Sequence, residues 1–234
     1  MLEVKMFKST IYALLIVIVI ATLGCGGGGD TVPGPTLTDA RWGHTATTLN
    51  DGRVLVVGGQ QKPSKPLDTT EIFDPASSTW SSAGKLSITR GEGHSSVLLN
   101  DGSVLVFGDT DEGSAEIYDP SSGTWSVTGS MNDPRRWASA TVLEDGRVLV
   151  AGGSDVTKTG GSAFITAEIY DPNSGSWSSI APMMEEHYGQ SAAYVGGKVI
   201  LFGEFVAEIY DPATGIWSSG GVPAVPRAQG TNAL

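Results

Sequence analysis

A chain of 234 residues with 40% hydrophobic content can bury a core, and its 32 glycines, 12 prolines and 6 tryptophans favour short strands and tight turns over long helices. Its formal charge of −11 argues against nucleic acid as a partner, because binding to a phosphate backbone needs clustered Lys and Arg. With Cys25 as the single cysteine, the chain forms no internal disulfide and no cysteine-built metal centre.

Lys5 and Lys8 precede an apolar run from Ile11 to Leu23, and Gly24 and Cys25 follow it. A basic start, a short greasy core and a small residue are the order of an export signal, expected over residues 1–24. The run is shorter than the roughly 20 apolar residues that span a bilayer core. Thr22-Leu23-Gly24-Cys25 resembles the lipobox of bacterial lipoproteins. That resemblance implies Cys25 as the lipid-attachment residue and new N-terminus, although Thr22 and Leu23 depart from the usual large-aliphatic then small order. An uncleaved signal anchor is the alternative. Gly26 to Gly29 and the Pro-rich stretch to Pro35 cannot pack, so residues 25–36 are expected as a flexible tether. The localisation implied is the bacterial cell envelope, membrane-anchored and facing the periplasm or the surface.

From residue 37 to 234 the chain repeats itself. DGRVLVVGG, DGSVLVFGD, DGRVLVAGG and GGKVILFGE begin at residues 51, 101, 145 and 196. TEIFDPASSTW, AEIYDPSSGTW, AEIYDPNSGSW and AEIYDPATGIW begin at 70, 115, 167 and 207. Each unit reads as four strands. The first runs into an Asp-Gly hairpin turn, and the second is an apolar strand such as Val54 to Val57. The third ends at Asp-Pro, where proline removes a ladder N–H, and a short fourth carries a tryptophan. Asp74, Asp119, Asp171 and Asp211 are the turn-formers, and Gly58, Gly59, Gly152 and Gly153 let backbones approach closely. A sheet apolar on both faces needs neighbours, so the units are expected to stack about an axis with Trp80, Trp125, Trp177 and Trp217 as wedges between them.

A strand ending in Gly-Gly, a Tyr-Asp-Pro turn and a following Trp resemble the kelch-repeat family, in the manner of the repeats of galactose-oxidase central domains and bacterial kelch-motif lipoproteins. Asp109 and Glu204 depart from the pattern in place of the second glycine. The fold implied is an all-β kelch-type β-propeller of four complete four-stranded blades. Val225 to Leu234 matches the first strand of a fifth, which makes the expected ring incomplete.

Antiparallel order puts the loops between second and third strands, and the crossings between blades, on one face. The former vary most: Gln60 to Thr69, Thr110 to Ser114, Ser154 to Thr166 and Phe205-Val206. Recognition is expected there, with Trp42, Trp137 and His187 as candidate ligand-facing residues. His44 and His94 read as strand residues at blade junctions. Glu71, Glu116, Glu168 and Glu208 recur once per unit, which speaks for architecture over acid–base chemistry. Asp109, Asp111 and Gly113 begin like a calcium loop, but Pro120 stands where a bidentate Glu is required. No metal, cofactor or catalytic residue is expected.

The function expected is a non-catalytic, membrane-tethered scaffold that binds a protein or a glycan through its variable face. The alternative is a carbohydrate-active propeller enzyme. Resembling copper oxidases implies a tyrosine cross-linked to a cysteine plus histidine ligands, and Cys25 lies outside the propeller. A sialic-acid-isomerising enzyme of similar fold needs no cysteine, so the lone Cys25 does not argue against it, and the sequence does not place its functional residues. A third reading is a propeller fragment without activity of its own.

Overall fold

The computed structural model describes residues 35–222, apart from 63–64, 159–161, 188 and 204–205. The expected export signal, Cys25 and the strand of a fifth unit lie outside the described residues.

Four antiparallel sheets follow one another, each in the order first-second-third-fourth strand. The first blade holds β1 (Thr45–Thr48), β2 (Val54–Val57), β3 (Leu67–Asp74) and β4 (Thr79–Arg90). The second holds β5 (Ser95–Leu98), β6 (Val104–Phe107), β7 (Ala115–Asp119) and β8 (Thr124–Val127). A short strand β9 (Arg135–Arg136) leads into the third, made of β10 (Ser139–Val142), β11 (Val148–Ala151), β13 (Ala167–Asp171) and β14 (Ser176–Ser179). Between β11 and β13, β12 (Ser154–Asp155) pairs with β9 in a two-stranded ribbon. The fourth blade holds β15 (Ser191–Val195), β16 (Lys198–Phe202), β17 (Ala207–Asp211) and β18 (Ile216–Gly221).

The side-chain period of two gives each blade two faces. Leu55, Val57 and Ile72 share one face of the first blade and pack on Val104, Val106 and Tyr118 of the second. Leu105 and Phe107 meet Val148, Val150 and Tyr170 in the same way, and Leu149, Ala151 and Ile169 meet Val199, Leu201 and Tyr210. Each fully buried aliphatic side chain contributes about 2 kcal/mol, so a blade stripped of its neighbours loses most of its support. The first strands pack in series, β1 on β5, β5 on β10 and β10 on β15. Comparable packing of β15 on β1 is not found among the described residues.

The tryptophans wedge by chemistry as well as bulk. Trp125, Trp177 and Trp217 each lie about 5 Å from the Tyr of the adjacent strand, at 5.1, 5.0 and 5.0 Å between ring centroids. Their indole N–H groups donate across the junction to the carbonyls of Ala83, Gly129 and Ala181, at 3.0, 2.8 and 3.0 Å. Trp80 pairs with Phe73 and donates to the Pro35 carbonyl. Asp74, Asp119, Asp171 and Asp211 each accept the N–H two residues on, at 2.8, 2.8, 2.9 and 3.0 Å, closing the turn that proline opens. The fourth strand of the first blade is longer than a short tryptophan strand. β4 runs twelve residues to Arg90, with register shifts against β3 near Thr69.

Candidate functional site

The loops after the second strands of the first three blades are stitched to the segment entering the next blade. Gly59 N–H donates to Arg90 O, Asp109 N–H to Arg135 O and Gly153 N–H to His187 O, at 3.0, 3.0 and 2.8 Å. Trp42 and Gln60 exchange two backbone bonds, and Trp137 N–H donates to Gly93 O at 2.7 Å. Glycine is required where these strings run closest. Gly59 and Gly153 have φ near 90°, and a Cβ there would lie 2.7 Å from Trp42 O and 2.6 Å from Arg136 O. Gly58 and Gly152, beside them, also take positive φ. The result is one continuous crossing face, opposite the Asp-Gly and Asp-Pro turns.

Buried clamps hold that face rigid. The four repeating glutamates, Glu71, Glu116, Glu168 and Glu208, are buried. Each accepts backbone N–H bonds from the incoming crossing: Thr38 and Asp39, Ser87, Asn132 and Asp133, and Met184 and Glu185 respectively. In three blades the partner cation is arginine. Arg41 reaches Glu71 at 2.8 Å, Arg90 reaches Glu116 at 3.4 Å and Arg135 reaches Glu168 at 2.9 Å. The same guanidiniums bond the carbonyls of Gly58, Gly108 and Gly152, each at 2.8 Å. The fourth blade uses His187, whose Nε2 lies 2.8 Å from Glu208 Oε1.

That pairing corrects the placement of His187 as ligand-facing. It does lie in the crossing before β15, but it is 5% exposed and turned inward, because the buried carboxylate of Glu208 draws it as arginine is drawn elsewhere. His94 is also structural. Its Nδ1 lies 2.8 Å from Gly91 O and its Nε2 3.1 Å from Val57 O of the first blade, and burial lowers its pKa to about 4. Burial likewise lowers the pKa of His44.

Trp42 and Trp137 stand outward on the crossing face, 45% and 36% exposed. Trp137 is the stranger of the two. Its counterparts before the other first strands are Gly43, Gly93 and Gly189, with φ of 65°, 95° and 64°, and Trp137 adopts the same left-handed backbone at 55°. A bulky residue pays strain there of about 1–2 kcal/mol. Arg136 lies over its ring at 4.3 Å. Asp109 repeats the anomaly beside it: it takes the place of Gly59 and Gly153 with φ of 58°, and its Oδ2 accepts Gly91 N–H at 2.8 Å. Burial raises its carboxyl pKa to about 6. Three non-glycine described residues have positive φ, and two of them bond the same short segment, Asp109 through Gly91 N–H and Trp137 through Gly93 O.

Reading the sequence missed Arg41, Arg90, Arg135 and Arg136, and noted Asp109 only as a departure from the Gly-Gly pattern and the start of a calcium-like loop. A signal for the first three exists, since a basic residue stands four or five positions ahead of every first strand.

Two open clefts lie on the opposite face. One, of about 510 Å³, lies between Asp51, Asp101 and Asp119, and the other, of about 330 Å³, beside Asp145, Tyr194 and Pro212. Both are hollows between neighbouring turns. Among the described residues no three His, Cys, Asp or Glu side chains gather as a metal-holding group. Among the described residues, Tyr118, Tyr170 and Tyr210 are buried against tryptophans, and His94 and His187 are engaged in bonds that hold the fold.

Repeated four-stranded sheets, cross-junction tryptophans and stitched crossings define a β-propeller with one loop-built face. Residues 31–203 match the family described as the KLHDC2/KLHL20/DRC7 Kelch-repeats domain, and the chain belongs to this kelch-repeat family. Two curated proteins called galactose oxidase, from Gibberella zeae, are each 32% identical to it over 57 residues, which is 24% of this chain and 8% of theirs. The chain therefore spans a small part of the length of those relatives.

Proposed function

We propose that this kelch propeller is a non-catalytic binding scaffold, held at the membrane of a bacterial cell envelope by its N-terminal lipid or signal anchor, and that it offers the crossing face to a protein partner. The observation that carries this reading is that Trp137 and Asp109 both keep strained left-handed backbone on the crossing segments where other blades use glycine. Strain retained at a solvent-facing position favours a role outside folding. A clamped, loop-built surface suits a large partner, and exposed tryptophans are typical binding anchors.

A glycan is the second reading, favoured by the two exposed indoles, whose faces suit a sugar ring. The carbohydrate-active enzyme stands behind both, on the 57-residue likeness to galactose oxidase.

The test is photo-crosslinking in the producing cell from a diazirine amino acid at position 42, with position 121 on the turn face as control. Adducts from 42 and not 121, diminished roughly tenfold or more by Trp137→Gly, are expected. Equal adducts at both positions, or none at 42 together with a silent glycan array, overturn the proposal. A glycan array on which Trp137→Gly abolishes binding selects the glycan reading.

A further inference from the structure

Three blades bury their forward face against the next blade; among the described residues nothing comparable lies against the fourth. In the position where Leu49, Leu99 and Leu143 are 4%, 4% and 3% exposed, Val195 is 59% exposed. In the position where Val57, Phe107 and Ala151 are buried at 0%, 1% and 1%, Phe202 is 46% exposed. Ile200 and Ile209, on the same face by register, are half-buried. The apolar pattern of a blade junction is complete here, and its cover is missing among the described residues.

The cover it fits is present at the other end of the same domain. The receiving side of each internal junction is built from two aliphatics of the second strand and an aromatic pair: Val104, Val106, Tyr118 and Trp125 in the second blade. The first blade carries Val54, Val56, Phe73 and Trp80 in those positions, with the pair already formed at 5.0 Å and 43°, matching the 5.1 Å and 42° of the internal junction. Its first strand shows Ala46 and Thr48 exposed on that side, where the equivalent Ala140 and Val142 are half-buried. His44 stands where His94 stands in the second blade. His94 reaches back to Val57 O, and Gln190 in the fourth blade reaches back to Ala151 O at 2.7 Å. The repeat-equivalent carbonyl for His44 is that of Phe202.

We propose that the forward face of the fourth blade docks on the rear face of the first blade of a second copy of this chain, continuing the blade-to-blade junction between molecules. Phe202 then meets the second copy's Trp80 as Phe107 meets Trp177, ring centroids 5.5 Å apart and 66° between planes. The contact is heterologous: each copy uses one face and leaves the other for a further copy, so assembly closes as a ring or runs on as a string.

The experiment uses the full chain in non-ionic detergent, so that the apolar run 11–23 does not drive assembly, and reads mass by sedimentation over a hundredfold range of concentration. Wild type is expected to grow from monomer to dimer and larger. Phe202→Asp and Ala46→Arg each spoil one face and should weaken self-association about a hundredfold or more while leaving the melting curve cooperative. Mixed in equal amounts, they retain one good face each and should form a dimer and stop there. If Phe202→Asp fails to melt cooperatively, Val195→Glu replaces it. The proposal is overturned by wild type that stays monomeric throughout, by variants that assemble as wild type does, or by a mixture that remains monomeric. Hydroxyl-radical footprinting that finds Phe202 shielded in the monomer also overturns it, since a segment of the same chain then covers the face.

Discussion

Replacing Arg135 by Ala removes the clamp of the third blade and asks how much a buried cation contributes to a surface built of loops. The Arg135 guanidinium is fully buried and bonds Gly152 O, Thr166 O and Glu168 Oε1 at 2.8, 2.9 and 2.9 Å, with the Phe164 ring 4.9 Å away. After truncation Glu168, itself buried, keeps the N–H groups of Asn132 and Asp133 but faces no buried cation. Orphaning a buried charge in this way costs about 3–5 kcal/mol, which in a domain of this size lowers the melting temperature by roughly 10 °C. The molecule supplies its own control. Arg147 pairs with Asp145 at 2.7 Å, a shorter contact, but both side chains are substantially exposed; Arg147→Ala is expected to cost less than about 1 kcal/mol. Guanidinium unfolding followed by tryptophan fluorescence compares the two. Adding Glu168→Gln to Arg135→Ala keeps one of the two acceptors used by the Asn132 and Asp133 N–H groups, gives up the other and removes the stranded charge, and should recover about 1 kcal/mol. Equal losses for Arg135→Ala and Arg147→Ala, or no recovery in the double variant, would refute the idea that burial decides the energetics of these pairs.

Asp109 tests the reverse sign. Burial raises its pKa from 3.8 to about 6, so the folded chain holds a proton that the unfolded chain has released, and stability is lost as pH rises through that window. Asp109→Asn tolerates left-handed backbone and keeps an acceptor for Gly91 N–H; it should stabilise by on the order of 1 kcal/mol at pH 7.5, after allowing for partial exposure, with the gain shrinking toward pH 4.5 in thermal melts. Gly153→Ala places a Cβ 2.6 Å from Arg136 O at φ of 90°, whereas Gly215→Ala at φ of 72° meets nothing within 4 Å. The first should cost about 3 kcal/mol and the second about 1 kcal/mol by denaturant titration. Metabolic labelling with a fatty-acid analogue should mark the wild type and vanish in Cys25→Ser; unchanged labelling removes the lipid anchor.

The blades were legible because their determinants are local. Asp-Gly and Asp-Pro turns, a run such as VLVV and a following Trp lie within a few residues of one another, so each repeat announces itself whatever its loops do. The clamps were not, because their partners are joined through the variable loops. Arg41, Arg90, Arg135 and His187 precede their glutamates by 30, 26, 33 and 21 residues, a spacing that hides the period. His187 shows why: beside Glu185 and Glu186 in a blade crossing it reads as ligand-facing, and only the equivalence to arginine reveals its inward partner. Asp109 reads as a blemish in a Gly-Gly motif until Trp137 is set beside it.

The clamps also explain how recognition and folding share one set of loops. A binding surface gains affinity when its conformation is fixed before the partner arrives, yet loops that vary in length have no sheet to fix them. Here the fixing is assigned to residues that point inward, the glutamates and the basic side chains, through backbone N–H and carbonyl groups that every sequence possesses. The residue next to the clamp lies outside the buried ion pair. That position holds Trp42 after Arg41 and Arg136 after Arg135, an exposed indole in one blade and a guanidinium lying on Trp137 in another. Trp42→Ala should alter what is bound while sparing the melting temperature, whereas Arg41→Ala, one residue earlier, should do the opposite.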